Sequence, residues 1–204
     1  TSDKNLKLIK SARLISGTVW PVLEAHGIDG ELFDHANQLQ ELLNQANFYS
    51  HLDDIHNHIK PISKAYSDLY NNLHEQRTKS YQEALAFLAS RPEWITLSEE
   101  ARIAISNPLT NRVCAEFNLP TYGYTCQICK ANTSQMESDL AALDGLKNQA
   151  LVRLQELTAP EEKVERVKLT SFFGNGLESE EEIEKAVEQI KTHLLKLMAE
   201  GVKI

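Results

Sequence analysis

The residues best suited to chemistry are the three cysteines, which share one short stretch. Cys126 and Cys129 form a Cys-x-x-Cys turn, and Cys114 precedes them. Such a turn can present two thiolates to one tetrahedral metal ion, and zinc is the ion typical of sulfur-rich sites. The sequence therefore offers a candidate zinc site at Cys114, Cys126 and Cys129. It does not identify a fourth ligand, because these cysteines are the only Cys or His residues between His74 and His193.

The preferred interpretation is a packed cluster of reduced thiols without a cofactor, because Cys is among the most readily buried residue types, and zinc is the alternative. A redox role for the Cys-x-x-Cys turn is disfavoured, since the βαβ pattern that accompanies redox motifs does not surround it.

Two histidine-containing stretches are interpreted as solvated helix surface. His51, His56 and His58 accompany two aspartates, but helical spacing separates them too widely to share one small ion. The strip from His74 to Arg77, beside Lys79 and Tyr81, is interpreted as a charged helix face in water. Its alternative role is contact with a partner or with nucleic acid.

The Gly174-Asn-Gly176 turn before the last helix resembles a phosphate loop only superficially. It lacks the Gly-Lys-Ser/Thr sequence, and four glutamates follow it: Glu178, Glu180, Glu181 and Glu182. Carboxylates at a helix N-terminus would repel phosphate, so nucleotide binding is not expected there. The sequence spacing suggests no Ser/His/Asp or Cys/His catalytic arrangement, so we expect no enzymatic activity. Because the sequence also lacks any Gly-rich Lys-Ser/Thr loop, we expect no ATP hydrolysis.

The composition favours a helical protein. The chain has 204 residues, of which 42% are hydrophobic, but only 8 Gly and 6 Pro, so it can form a core and is poor in turns. A formal net charge of -8 argues against a broad basic face for duplex nucleic acid. The sequence has neither an apolar run of membrane-spanning length nor a signal peptide, and its odd cysteine count does not suggest a secreted disulfide framework. A cytoplasmic location is therefore expected.

The element around which the chain is organised is a long helix over residues 50–91. Its apolar residues follow a heptad seam through Leu52, Ile55, Ile59, Ile62, Tyr66, Leu69 and Leu73. Pro61 lies within the run but off the seam. A continuous, kinked helix is the first interpretation, and a hairpin that breaks at Lys60-Pro61 is the second.

A second heptad seam predicts a helix over residues 133–157 that packs antiparallel on residues 52–73. Between the two lies an irregular segment, residues 107–132, that holds all three cysteines; we call it the cap. Its apolar content predicts an ordered structure where the long helices meet. Further helices are expected at 3–25, 31–45 and 99–106.

The C-terminal part is predicted to form a small α/β corner. Alternation over 164–170 indicates a strand, a capping box at Ser179 and Glu182 begins a final helix, and 202–204 is expected to form a closing strand. The fold class is therefore mostly α: an elongated helical bundle with an antiparallel coiled-coil pair and this corner. Three segments are expected: 1–48, a helical N-terminal segment; 49–160, the coiled-coil pair with its cap; and 161–204, the strand-helix-strand unit.

Four stretches, taken in order, carry a family resemblance: AYSDLYNNLHEQRTKSYQEAL, PLTNRVC, CQICKANTSQMESDLAAL and VKLTSFFGNGLESEEEIEKAVEQIKTHLLKLMAEGVKI. From about Ile59 to Ile204 the chain resembles the C-terminal region of the large P-loop ATPases of bacterial BREX phage-defence systems, of the BrxC or PglY type. The family's nucleotide-binding motifs match no part of this chain. The resemblance implies a helical tail of a cytosolic defence ATPase, used for assembly. The start at Thr1, without a methionine, also suggests a piece of a longer protein.

The expected function is a non-catalytic interaction or assembly module that binds protein partners or itself and has no membrane contact. Binding of nucleic acid is expected only through the parent assembly. The alternative is a zinc-knuckle module that binds nucleic acid and is organised by Cys114, Cys126 and Cys129.

Overall fold

The computed structural model describes residues 3–28, 30–159, 166–174 and 176–202, and helices dominate these ranges. The helices are α1 (Asp3–Leu14), α2 (Trp20–Ala25), α3 (Glu31–Asn44), α4 (Leu52–Ala89), α5 (Pro92–Thr96), α6 (Glu99–Thr110), α7 (Thr133–Thr158) and α8 (Glu180–Ala199). A π-helical turn at Ile15–Val19 joins α1 to α2 around Gly17. The described ranges contain no strand, so the mostly α prediction is confirmed. Among the described helices, none has the length and apolar character needed to cross a bilayer.

The chain divides into two compact units, Thr1–Thr158 and Ala159–Ile204. The first unit contains α1 to α7 and two apolar cores. The first core joins α1, α2 and α3 to the first half of α4, so the segment 1–48 shares its core with the long helix. In the second core, the end of α4 packs with residues of α6 and α7.

The long helix α4 runs without interruption from Leu52 to Ala89, with Pro61 inside it. The continuous interpretation is confirmed, and the break at Lys60-Pro61 is not observed. The missing hydrogen bond of Pro61 costs about 3 kcal/mol. Ile55, Ile59 and Ile62 on the same stretch are fully buried, and each contributes roughly 1.5–3 kcal/mol. This burial outweighs the cost of the proline.

The direction of helix pairing differs from the prediction. Asp139 of α7 contacts Arg77 and Tyr81 of α4, and further along both helices the Lys147 ammonium lies 4.2 Å from the Phe87 ring centroid. Contacts that advance together along both helices mean that α7 runs parallel to the second half of α4. The antiparallel pairing of 52–73 with 136–157 is therefore wrong, and the coiled-coil pair is not observed.

The connection between the two helices explains this direction. The second core places the start of α6 near Leu88, and the Cys114 backbone beyond its end is bonded to Thr78 of α4. The intervening α6 therefore runs back along α4, and the cap carries the chain to Tyr70, where α7 begins parallel to α4. The side chains that bury the first half of α4 come from α1, α2, α3 and the cap, together with Met136 at the start of α7.

Three local predictions need correction. The α6 helix, which was expected over 99–106, continues through Asn107-Pro108 to Thr110. Residues 166–168 are irregular and Leu169–Phe172 forms a 3-10 helix, so the described part of the predicted strand 164–170 is not a strand. Val202 is not in a strand either, and the α/β corner is not observed. Residues 164–165 and 203–204 lie outside the described residues.

The predicted cap at Ser179 occurs in the structure, and Ser98 caps α6 in the same way. The Ser98 side chain accepts a hydrogen bond from the Ala101 amide, and the Ser179 side chain accepts one from Glu182. The Glu182 carboxylate in turn accepts the Glu178 amide at 2.8 Å. Each cap satisfies an amide that the first helical turn leaves without a partner.

Candidate metal centre

Four potential ligands converge between α4 and the cap. One donor atom from each of His74, Cys114, Cys126 and Cys129 lies within 4.8 Å of every other. His74, Cys114 and Cys126 are buried, with exposed fractions of 4%, 5% and 0%, and Cys129 is half-buried. All three cysteines carry free thiols. The structure thus brings together the three predicted cysteines and adds a histidine from a distant part of the chain.

Three side chains of α4 hold the backbone of the cap around His74. The Tyr66 hydroxyl donates to the Tyr124 carbonyl at 2.7 Å. The Tyr70 hydroxyl accepts the Cys126 amide at 2.7 Å and donates to the Ala131 carbonyl. The Thr78 hydroxyl donates to the Cys114 carbonyl at 3.2 Å and accepts its amide at 3.3 Å. Two of the cysteines are therefore positioned by backbone bonds to the helix that carries His74.

The His74 imidazole is positioned by aromatic neighbours. It stacks on Tyr70, one turn earlier on α4, with 6.3 Å between ring centroids. Phe117 of the cap meets it edge-on at 5.3 Å. Its Nε2 atom is buried and has no hydrogen-bond partner among the described residues. Leaving such a nitrogen unpaired costs roughly 1–3 kcal/mol.

The Cys-x-x-Cys turn has a closed backbone that points amides at sulfur. The Ile128 amide donates to Cys126 Sγ at 3.4 Å, and the Lys130 amide donates to the Cys126 carbonyl at 3.0 Å. Lys130 adopts a left-handed conformation with φ of 57°, which closes the turn after Cys129. These contacts hold both cysteines of the motif on one side of a tight loop.

The surroundings shift the proton affinities of the ligands in different directions. Burial raises the pKa of the Cys114 thiol to about 11, with the other two cysteines adding to the effect. Burial also acts to raise the pKa of Cys126, but hydrogen bonds from nearby backbone amides outweigh it and lower this pKa to about 7. Burial, and then the Arg77 guanidinium, lower the pKa of His74, which favours the neutral imidazole that metals bind.

Chemically, the set is three sulfurs and one imidazole nitrogen. Four protein donors complete a tetrahedral coordination sphere, and no position is left for water or substrate. Such a site is suited to holding structure together rather than to activating a water molecule. Two openings, of ≈ 610 Å³ beside Cys114 and Cys129 and of ≈ 390 Å³ beside His74 and Cys114, connect the cluster with solvent.

Residues 74–81 were expected to form a solvated helix face, and this expectation is wrong for the three residues of the stretch that are buried. His74, Arg77 and Tyr81 are 4%, 2% and 0% exposed. Arg77 forms an ion pair with the buried Asp139 at 3.3 Å, and Arg112 reaches the same carboxylate at 3.0 Å. A signal was present in the sequence. The buried stripe continues at spacings of three and four beyond Tyr70, and the next positions on it are His74, Arg77 and Tyr81.

The other histidines engage separate neighbours. His51 Nδ1 lies 3.5 Å from Asp54, and His58 Nδ1 lies 3.0 Å from the same atom of His35. Burial lowers the pKa of His58, and the His35 charge lowers it further. His56 is exposed. The three predicted surface histidines therefore lie against different neighbours.

Comparison of the chain with protein-family models, with curated proteins and with solved structures finds no significant match. A function for the protein is therefore inferred from its own geometry and sequence.

Proposed function

We propose that the chain is a non-catalytic interaction and assembly module that associates with itself through α8. The supporting observation is an apolar stripe on this helix. Ile183, Val187 and Met198 follow it at helical spacing and are 48%, 55% and 64% exposed. Full burial of such a side chain contributes roughly 1.5–3 kcal/mol, so a complementary surface would stabilise the exposed stripe.

The occupant we propose is a second copy of α8, packed antiparallel. The first turn of the helix carries Glu180, Glu181 and Glu182, and its second half carries Lys191 and Lys196. Both lysines are exposed and lie 3.3 Å from Glu188 and 4.0 Å from Glu200 of the same segment, contacts that a partner helix would share. In an antiparallel pair the acidic turn of one helix lies near the basic half of the other. The opposed helix dipoles add to the attraction.

Sedimentation velocity over a range of protein concentrations tests this proposal. We expect a reversible dimer for the unmodified chain and a monomer for the double variant Ile183→Glu, Val187→Glu. The double variant Gln189→Glu, Thr192→Glu is the matched control, because it adds the same two charges at exposed positions on a different face and should leave the dimer intact. A monomer at every concentration, or equal dissociation by the control, would contradict self-association through this stripe.

The parent protein that we propose is a BREX-type defence ATPase, with this chain as its assembly segment in the cytoplasm. The four stretches quoted above support this proposal, and the module itself is proposed to hydrolyse no ATP. The full-length gene tests the family assignment. A Walker A motif upstream of Thr1 in the same reading frame is expected, and a reading frame without one would contradict the assignment.

A second candidate function, nucleic-acid binding, has one observation in its favour. Lys60, Lys64 and Tyr122 line a groove of ≈ 460 Å³ between α4 and the cap. Lysines beside an aromatic ring are typical of single-strand binding. However, Lys64 is paired with Asp68 at 2.7 Å, and the chain is acidic overall.

Fluorescence anisotropy with single-stranded RNA and DNA, over a salt series, tests this second function. Salt-dependent binding that is lost in Lys60→Glu but kept in the control Lys185→Glu would favour it. Equal loss in both variants, or no binding at low salt, would exclude the groove.

A further inference from the structure

We propose that His74, Cys114, Cys126 and Cys129 bind one zinc ion, which fastens the cap to α4. This inference is independent of self-association through α8. It rests on the convergence of four donors from three separate parts of the chain, and on a buried imidazole nitrogen that the described residues leave without a partner.

The geometry fits a zinc ion with little adjustment. Zinc–sulfur bonds of about 2.3 Å in a tetrahedral site place neighbouring sulfurs about 3.8 Å apart. The four donor atoms already lie within 4.8 Å of one another. Closing the sphere therefore requires movements of about 1 Å or less, which side-chain torsions can supply.

The two alternatives to a metal ion, a disulfide and a cluster of neutral thiols, both leave a buried polar atom without a partner among the described residues. A disulfide would join two of the three cysteines and leave the third thiol and His74 Nε2 without a common partner. A cluster of neutral thiols satisfies Cys114, which donates to the Glu116 carbonyl at 3.2 Å, but again leaves the buried imidazole unpaired. A metal ion satisfies all four donors at once.

The donor types select zinc among the common ions. Three thiolates and an imidazole exclude calcium and magnesium, which prefer oxygen ligands. One neutral histidine and three thiolates give the zinc complex a net charge of -1. The Arg77 side chain lines the same opening as Cys114 and Cys129, so its guanidinium would compensate this charge. The larger opening beside Cys129 provides an entry path for the ion.

The first experiment measures metal content. Tag-free protein purified from zinc-containing medium should hold one equivalent of zinc by elemental analysis. Cobalt added to the metal-free protein should give a thiolate charge-transfer band and the intense visible bands of tetrahedral coordination. Less than a tenth of an equivalent of zinc, without a cobalt spectrum, would overturn the site. Stoichiometric iron in place of zinc would overturn the choice of metal.

The second experiment tests the ligands individually. His74→Asn should weaken zinc binding about 100-fold or more, since loss of even an indirect supporting contact costs up to about that much. His74→Cys should keep one equivalent and shift the cobalt spectrum towards that of a four-thiolate site. His56→Asn is the matched control on the same helix and should bind as the unmodified chain does. Cys126 is fully buried in the first core, so Cys126→Ser combines loss of a ligand with loss of packing, and the His74→Cys spectrum provides the decisive readout. Unchanged affinity in His74→Asn, or an unshifted spectrum in His74→Cys, would overturn the role of His74.

Discussion

At the scale of single residues, one hydroxyl group organises the contact between α4 and the cap. Tyr70 is fully buried, and its hydroxyl both accepts the Cys126 amide and donates to the Ala131 carbonyl. Burial raises its pKa to about 12, so the phenol stays protonated and keeps its donor. The hydroxyl thereby gives hydrogen-bond partners to the buried Cys126 amide and Ala131 carbonyl of the cap.

We expect Tyr70→Phe to destabilise the first unit by about 1–3 kcal/mol, because one amide and one carbonyl in the interior lose their partner. Urea unfolding followed by circular dichroism measures this difference. Tyr49→Phe, at a position that is 62% exposed, should change the unfolding free energy little. Equal effects of the two substitutions would show that the Tyr70 hydroxyl is not needed.

A second prediction at this scale concerns pH. The imidazole of His26 contacts the Val22 carbonyl at 2.7 Å through Nδ1 and the Glu137 carboxylate at 2.8 Å through Nε2. The bond to Val22 is the largest influence and raises the pKa of His26. Burial opposes this increase, and Glu137 adds to it. A raised pKa in the folded state means that the stabilisation is complete below about pH 6.5 and is lost as the pH rises through the folded value.

His26→Gln should therefore destabilise the protein at pH 5.5 by at most about 1 kcal/mol, and less at pH 8, since Glu137 is half exposed. Melting temperatures of the variant and the unmodified chain, compared at both pH values, measure this. Glu137→Gln should reproduce the trend. A difference that grows with pH would contradict the assigned sign.

At the scale of the elements, a buried ion cluster joins three of them. Asp139 of α7 accepts from Arg77 of α4 and from Arg112, just after α6, and its backbone carbonyl accepts the Tyr81 hydroxyl at 2.5 Å. Its side chain is 7% exposed and that of Arg77 is 3% exposed. A charge at this depth requires its partners, so the cluster specifies how α4, α6 and α7 align.

Asp139→Asn should cost about 3–5 kcal/mol, because the Arg77 guanidinium remains buried without its counter-charge. Asp144→Asn, an exposed change on the same helix, should stay within about 0.5 kcal/mol. Equilibrium unfolding in urea compares them. A loss below 1 kcal/mol in Asp139→Asn would show that the cluster contributes little to alignment.

At the scale of the whole molecule, we expect the two compact units to respond differently to removal of the metal ion. The four candidate ligands all belong to the first unit, whereas α8 lies in the second. The cap is held by hydrogen bonds from α4 and, in our proposal, by zinc. Removal of the ion should therefore loosen the cap without affecting α8.

Hydrogen exchange measured by mass spectrometry, with and without a zinc chelator, tests this difference. Amides in residues 111–132, and those of α4 near His74, should exchange faster after chelation. Amides of α8 should exchange at the same rate in both samples. Unchanged exchange in the cap, or an equal increase in α8, would contradict a local structural role for the metal.

Local sequence patterns were sufficient for most helices and for the caps. The i, i+3, i+4 spacing of Ile55, Ile59 and Ile62 predicts α4, since a helix forms from neighbours in sequence and buries one face. Ser98 and Ser179 bind amides three residues away, so their caps are also readable from sequence. The Cys-x-x-Cys turn is local in the same sense, which is why two of the candidate ligands could be identified as a pair.

Only the tertiary structure decided the direction of helix packing and the position of His74 beside the cysteines. The sequence did not determine whether α7 packs parallel or antiparallel to α4, because the direction depends on the path of α6 and the cap between them. His74 joins the cysteines because the tyrosine and threonine hydroxyls of α4 bind the cap backbone, a contact between residues far apart in the chain. A heptad seam records which side of a helix is apolar. It does not show which element covers that side. Phe117 of the cap and Asp139 of α7 lie against the end of the stripe, and they decide that the polar His74 and Arg77 are buried.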